Sequence, residues 1–378
     1  MQTRVAWCLR LQFAALGMLA GTWGAHIPSV KAQHGLTQIS LSAVLMAAAL
    51  GAVSALFFAG RAVARLGTRR AAVFAGWAMC GMFALLLLLP GFWFVLAAAL
   101  VFGAGMSLFD VSVNSEGAAL ESRTGRTVMS NLHGMFSLGA MAGAAAASAL
   151  LRAGIAPALQ LAAVALALTG LISLASLGMP APDPKSAQEG ADTAHFAWPR
   201  GLLLVIGLLI FAGMMAEGVM YDWCVLYLQQ DLGLPQSQAA LGYAAFAGAM
   251  ALARFGGDAL RARYPETTIL LLGALLAAVS VAVVLLVGLP WVAIAGFALA
   301  GAGLAPVAPI LFNAATRVPG ISRAAAIASV TSIGYSGFMV GPPLIGALAQ
   351  ASSLTVALSV VVLAAACLAL GARRVPTA

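Results

Sequence analysis

Residues 92–120 read FWFVLAAALVFGAGMSLFDVSVNSEGAAL, with no charged residue before Asp110. About 20 such residues are enough for a helix to cross a hydrocarbon core. The run is too long for the roughly ten-residue alternating strands of an outer-membrane barrel. In lipid, every backbone group needs an internal partner, so the run reads as a membrane helix. A carboxylate in such a helix is costly unless it is paired or hydrated, which makes Asp110 a functional candidate.

The rest of the chain repeats this pattern. Similar runs fall at about 5–30, 38–60, 71–89, 127–151, 155–178, 200–229, 237–262, 267–288, 291–316, 322–349 and 354–371, making twelve with 92–120. The 378 residues are 62% hydrophobic and only 8% charged. The mean hydropathy of +1.02 excludes a soluble globular fold. The first run could be taken for a secretory leader, but its length and the spans after it make it a retained helix. The expected fold is an all-α membrane protein of twelve transmembrane helices in two six-helix bundles.

The formal net charge of +8 comes from short basic clusters between apolar runs, a pattern that sets membrane orientation and does not point to nucleic acid. With the N-terminus inside, the inner face receives Arg61, Arg65, Arg69, Arg70, Arg123, Arg126, Arg261, Arg263, Arg317, Arg323, Arg373 and Arg374. Of the 19 Lys and Arg, only Lys31 and Arg152 then lie outside, so both termini are expected in the cytoplasm. Cys8, Cys80, Cys224 and Cys367 lack the spacing of a disulfide framework or zinc site and read as packing residues. No metal or cofactor is expected. The absence of a nucleophile elbow, a metal-ligand spacing or a phosphate loop argues against an enzyme or an ATP-driven pump.

The polar, proline-rich segment 180–199 reads as a cytoplasmic linker between bundles at 1–179 and 200–378. The two halves show self-similarity. Gly103-Ala104-Gly105 faces Gly301-Ala302-Gly303 at a shift of 198 residues, and His34-Gly35-Leu36-Thr37 faces Leu232-Gly233-Leu234-Pro235. Ser137-Leu138-Gly139 with Gly143 likewise faces Tyr335-Ser336-Gly337 with Gly341. An even number of helices per half makes this a parallel repeat, and two such bundles can rock about a central cavity.

At about 1.5 Å per residue, Asp110 in the fourth span and Glu217 in the seventh fall within about a turn of the bilayer midplane. Asn114 shares a helix face with Asp110, and Glu116 lies deeper toward the cytoplasm. Asn131 and His133 of the fifth span sit at similar depth, and an acid beside an imidazole can load and release a proton. A buried polar cluster that only fixes helix packing is the alternative. Tyr221 follows Glu217 at i+4, with Asp222 and Trp223 beside it, while Trp23 and His26 occupy the corresponding part of the first span. Aromatic rings suit the apolar faces of a sugar-like solute, and carboxylates and amides suit its hydroxyls. Interfacial anchoring explains Trp23 and Trp223 equally well, packing is the better reading of His26, and Asp222 is as readily solvated near the outer surface. Asn313, Ser329, Ser332 and Tyr335 are further cavity candidates. At the 198-residue shift Asp110 faces Ala308 and His133 faces Thr331, so the proton cluster belongs to the first half alone. Pro306, Pro309, Pro342 and Pro343 are expected to break or kink the tenth and eleventh spans.

The segment Gly60-Arg61-Ala62-Val63-Ala64-Arg65-Leu66-Gly67-Thr68-Arg69-Arg70 resembles the loop signature G-x-x-x-D-R-x-G-R-R of the major facilitator superfamily. It departs at Ala64, where the signature has an aspartate. Arg254-Phe255-Gly256-Gly257-Asp258-Ala259-Leu260-Arg261 resembles its degenerate second copy and keeps an acid at Asp258. The resemblance implies a gating role for Gly60, Arg61, Arg65, Gly67, Arg69, Arg70, Asp258 and Arg261. Asp110-Val111-Ser112-Val113-Asn114 is similar to the fourth helix of the fucose-permease-like branch, where the acid is tied to proton coupling. Asn131 through Gly139 is similar to the family's fifth helix, and Glu217-Gly218 through Asp222-Trp223 and Gly341-Pro342-Pro343 resemble YbjJ-type bacterial inner-membrane transporters. The branch also carries a first-helix acid four residues before a proline; that position, before Pro28, is Gly24 here.

The reading is a monomeric, proton-coupled symporter of a small polar organic solute, sugar-like by resemblance, in the bacterial inner membrane. Asp110, Glu217, His133 and Glu116 are its candidate proton carriers. Asn114, Asn131, Trp23, His26, Tyr221, Asp222, Trp223, Asn313 and Tyr335 are its candidate solute contacts. The alternatives are proton-driven efflux of amphiphilic compounds, suggested by the 15 methionines, and a non-transporting receptor or scaffold.

Overall fold

The computed structural model describes residues 2–125, 128–180 and 199–376, and every regular element among them is helical. In chain order the helices are α1 (Gln2–Gln33), α2 (Gln38–Leu85), α3 (Phe92–Thr124), α4 (Met129–Arg152) and α5 (Pro157–Ser176). Then follow α6 (Gly201–Gln230), α7 (Gln236–Arg261), α8 (Glu266–Val287), α9 (Pro290–Leu304) and α10 (Val307–Ala315). The last are α11 (Arg323–Ala351), α12 (Leu354–Ala357) and α13 (Ser359–Gly371), with a short 3-10 turn at Ala372–Arg374. The expected linker lies outside the described residues, except Pro180 and Pro199 at its ends.

Ten helical stretches among the described residues are long and apolar enough to cross a membrane. Large apolar side chains face outward along them, with Leu286 86% and Leu370 81% exposed. In water that surface would aggregate; in a bilayer it is solvated. The fourth apolar run is α3, the seventh α6 and the eighth α7.

Two differences from the sequence expectation concern breaks. The second and third runs are joined in the 48-residue α2, which runs helically through the loop signature. It is interrupted at Gly67, whose φ of 76° and ψ of 155° would strain any residue with a side chain. Pro306 does separate α9 from α10, but Pro309 lies within α10, and α11 is continuous across Pro342 and Pro343. Proline removes one donor from the helix ladder, and packing and relaxed local geometry let a membrane helix carry that loss.

The chain divides into two compact units, Met1–Asp192 with Gln236–Ala244, and Thr193–Pro235 with Ala245–Ala378. In the first unit, α1 meets α4 through Gly17 and Gly21, where a Cβ would overlap the carbonyl oxygens of Phe136 and Ala140. Gly139 and Gly143 of α4 return the contact against Ala14 and Met18. Spacing of four residues puts these glycines on one face of each helix and lets the backbones touch, which is how membrane helices associate without a hydrophobic drive. Gly103 of α3 packs in the same way on the Ala48 carbonyl of α2.

In the second unit Gly301 of α9 packs on the carbonyl of Phe246, and Gly337 of α11 on that of Phe211. Gly103 and Ala48 become Gly301 and Phe246 on adding 198 to each number. The sequence repeat is therefore a repeat of close helix contacts, built separately in each unit.

Candidate transport site

In the first unit, Asp110 sits in α3 with its Oδ1 accepting a 2.8 Å hydrogen bond from Asn114 Nδ2, which also donates to the Asp110 carbonyl. The i+4 spacing makes this contact local. No ion pair to Asp110 exists among the described residues. The Trp23 ring lies 5.7 Å from that of Phe102, and the His133 ring stands edge-on to Phe13 at 5.4 Å. Asn131 is engaged by a residue that the sequence reading did not single out. Arg10 Nε donates to its Oδ1 at 2.8 Å, with the guanidinium carbon 4.7 Å from the Trp7 ring centre.

His26 is fully buried, and both its ring nitrogens have neighbours, Ser29 Oγ at 3.1 Å and Gln160 Oε1 at 3.0 Å. Gln236 Nε2 donates to Ser29 Oγ at 2.7 Å within the same unit. These hydrogen bonds make His26 part of a buried polar chain.

In the second unit, Glu217 of α6 pairs with Arg254 of α7, Nη2 to Oε1, at 3.2 Å, with each side chain 15% exposed. Tyr221, one turn on, donates its hydroxyl to Met250 Sδ and stands edge-on to Phe246 at 5.1 Å. Phe246, Met250 and Arg254 follow at i, i+4 and i+8, so one face of α7 meets Glu217 and Tyr221 on one face of α6. Asp222 is half-buried, whereas Trp223 is enclosed. Trp23 and Trp223 are both buried inside their units. Tyr335 of α11 is half-buried, with its ring 6.2 Å from Phe338; Ser329 is buried, and Ser332 is exposed and bonds the Ala328 carbonyl.

Two charged clusters occupy helix ends. In the first unit, Glu116 accepts from Arg123 at 2.7 Å and from Thr68 at 2.9 Å. In the second, Glu266 accepts from Arg261 at 2.7 Å, Arg317 at 2.9 Å and Asn313 at 3.2 Å. Thr68 and Glu266 are 198 residues apart, so the repeat places both clusters at equivalent ends of their units. Asn313, a candidate solute contact, and Glu116, a candidate proton carrier, are thereby bound into these clusters. The Asp258 side chain and Arg126 lie outside the described residues.

The structure thus joins Asp110 to Asn114, and Tyr221 to the face that holds Glu217. Arg254 and Arg10 escaped the sequence reading as site residues. An arginine inside an apolar run was the available signal for both.

The sequence profile of the Major Facilitator Superfamily matches residues 11–335 and 226–378. The chain is 36% identical over 366 residues to an uncharacterized MFS-type transporter of Yersinia pestis, covering 97% of this chain and 94% of that one. Among solved structures, it superposes on the nucleoside transporter NupG with a TM-score of 0.71 at 14% identity, covering 98% and 97% of the two chains. It superposes on FucP in the outward conformation with a TM-score of 0.67 at 15% identity, covering 97% of both. Close-packed helices in repeated units, apolar faces toward lipid and polar groups inside agree with these matches: the chain is a multi-pass membrane protein that belongs to the major facilitator superfamily.

Proposed function

We propose that this transporter moves a small polar organic solute together with protons, and that Asp110 is the proton-carrying group. Counting α2 as two spans and α11 as another gives twelve, with both termini in the cytoplasm of a bacterial inner membrane and the units rocking in alternating access. The observation that carries the reading is the partner of Asp110. An amide satisfies hydrogen bonds but cannot balance a charge, so proton binding is what neutralises this carboxylate within the membrane.

Glu217 stands opposite a guanidinium and Glu116 opposite Arg123, so each is balanced without a proton. We assign Glu217 to solute recognition and Glu116 to locking helix ends. Tyr221, Trp23 and Tyr335 supply ring surfaces for the solute, and FucP, a fucose:proton symporter, and NupG, a nucleoside transporter, give precedents in this fold for solutes of this kind.

Purified protein in liposomes is expected to accumulate a transported sugar or sugar acid when the outside is made acidic, and to lose that accumulation when a protonophore is added. Accumulation that ignores the proton gradient would contradict the reading. Efflux of amphiphiles is the second reading, favoured by Met214, Met215 and Met250 on α6 and α7. A tolerance screen of a deletion strain separates it from import.

A further inference from the structure

We propose that Arg10, with Asn131 and Trp7, forms a binding site in the first unit for the carboxylate of a small organic acid. The inference goes beyond the transport reading above and does not rest on it.

Arg10 lies in α1 eight residues after Gln2, about 12 Å along the helix axis. Arg123, Arg254, Arg261 and Arg317 each pair with a glutamate, whereas Arg10 forms no ion pair among the described residues. Its two partners, an amide and an indole ring, are neutral. A guanidinium keeps its charge at every working pH, so this position in a membrane helix calls for an anion.

The two contacts aim the group. Arg10 Nε donates to Asn131 Oδ1 at 2.8 Å, and the guanidinium carbon stands 4.7 Å from the Trp7 ring centre. A hydrogen bond on one edge and a ring against one face fix the plane and leave the end that carries Nη1 and Nη2. Those two nitrogens make no hydrogen bond or ion pair among the described residues. A guanidinium only donates, so Asn131 turns its oxygen toward Arg10, and its Nδ2, which also has no partner among the described residues, is left as a further donor beside the fork. Both side chains are half-buried, and none of these nitrogens is enclosed by protein. A planar fork held in this way matches a carboxylate with two parallel N–H bonds at little further cost in side-chain freedom.

The exposure of α1 favours a dissolved acid over a lipid headgroup. Trp7 and Leu11 are exposed, yet every residue from Gly21 to Val30 is buried. A helix face laid against lipid is exposed along its whole length, as in α8, where Leu272, Leu276, Val279, Val283 and Leu286 are all exposed. α1 is open over its first half alone, which makes the surface around Arg10 a mouth at one end of the unit. An acid entering from water would place its carboxylate on the Arg10 fork and its carbon skeleton against the exposed part of the Trp7 ring.

The test is melting of the purified protein in detergent with benzoate and D-glucuronate, each set against a neutral counterpart, benzamide and D-glucose. A ligand that binds the folded state raises the melting temperature. At least one acid is expected to raise it by several degrees while its counterpart does not. Arg10→Lys keeps the charge without the fork, so it should melt like the parent protein yet lose the shift. Asn131→Asp sets a carboxylate against the guanidinium from within, and should melt at or above the parent temperature and also lose the shift. Should Arg10→Lys fail to fold, Asn131→Asp decides alone. The proposal is overturned if no acid stabilises, if the neutral counterparts stabilise as well as the acids, or if a folded variant responds like the parent. A shift produced by phosphatidylglycerol and not by the acids, and lost in Arg10→Lys, would give the fork to a lipid headgroup and overturn it too. Uptake that ignores the proton gradient would remove the transport reading, while an Arg10-dependent acid shift would leave this inference standing.

Discussion

Asp110 and Glu217 are both carboxylates set in membrane helices, one in each unit, and their partners differ in kind. Asp110 has an amide four residues along its own helix, whereas Glu217 has a guanidinium from a neighbouring helix. Around them the units are built alike, down to the equivalent contacts of Gly103 on Ala48 and Gly301 on Phe246. Shared packing with unshared charge indicates where the repeat has diverged. Helix contacts are needed by both units, while the proposed function divides proton handling and solute recognition between them.

The comparison can be broken first at the shared packing, where the largest effect is expected. Gly103→Val places a branched side chain against the Ala48 carbonyl, which packed backbone cannot accommodate. It should abolish monodisperse protein on size-exclusion chromatography, as should Gly301→Val. Gly81→Ala, with nothing within 4 Å of the added carbon, should leave the elution profile unchanged.

Charge comes next. Arg254→Ala strands Glu217 without its counter-charge, a loss expected to cost about 3–5 kcal/mol. The double variant with Glu217→Gln should recover much of the resulting fall in melting temperature. If the double variant melts as low as the single, the pair is not an isolated charge couple and the contrast with Asp110 weakens. A smaller effect is expected at the helix-end cluster. Arg123 is 45% exposed in its pair with Glu116, so Arg123→Gln should shift stability by about 1 kcal/mol or less. A larger drop in chemical denaturation would give that cluster a structural weight that its exposure does not suggest.

How much of this was legible in the sequence follows from what helical spacing can and cannot encode. The apolar runs, the four-residue glycine spacing and the 198-residue repeat are written along the chain, and so is the Asp110–Asn114 contact, because i and i+4 share a face. The pairing of Glu217 with Arg254 spans 37 positions and that of Arg10 with Asn131 spans 121. Such contacts depend on how each helix is rotated about its axis against its neighbours, which periodicity alone does not set in a chain apolar on nearly every face. The same reason explains Asn313. Its place in the tenth span was readable, while its attachment to Glu266 needed the packing of α10 beside α8. Gly67 was readable as part of a loop signature, but the helix running on either side of it was not, because the basic residues there resemble a connector.

Asp110→Asn is expected to have the least effect on folding, since an amide fills the same space and can still accept from Asn114. Its whole consequence should fall on coupling, which makes it the decisive variant. Liposomes containing the parent protein or Asp110→Asn would be assayed for solute counterflow and for uphill accumulation under an imposed pH gradient. The account predicts that the variant keeps counterflow and loses accumulation down to the level seen with a protonophore. Accumulation equal to that of the parent would contradict it and remove Asp110 from the proton path.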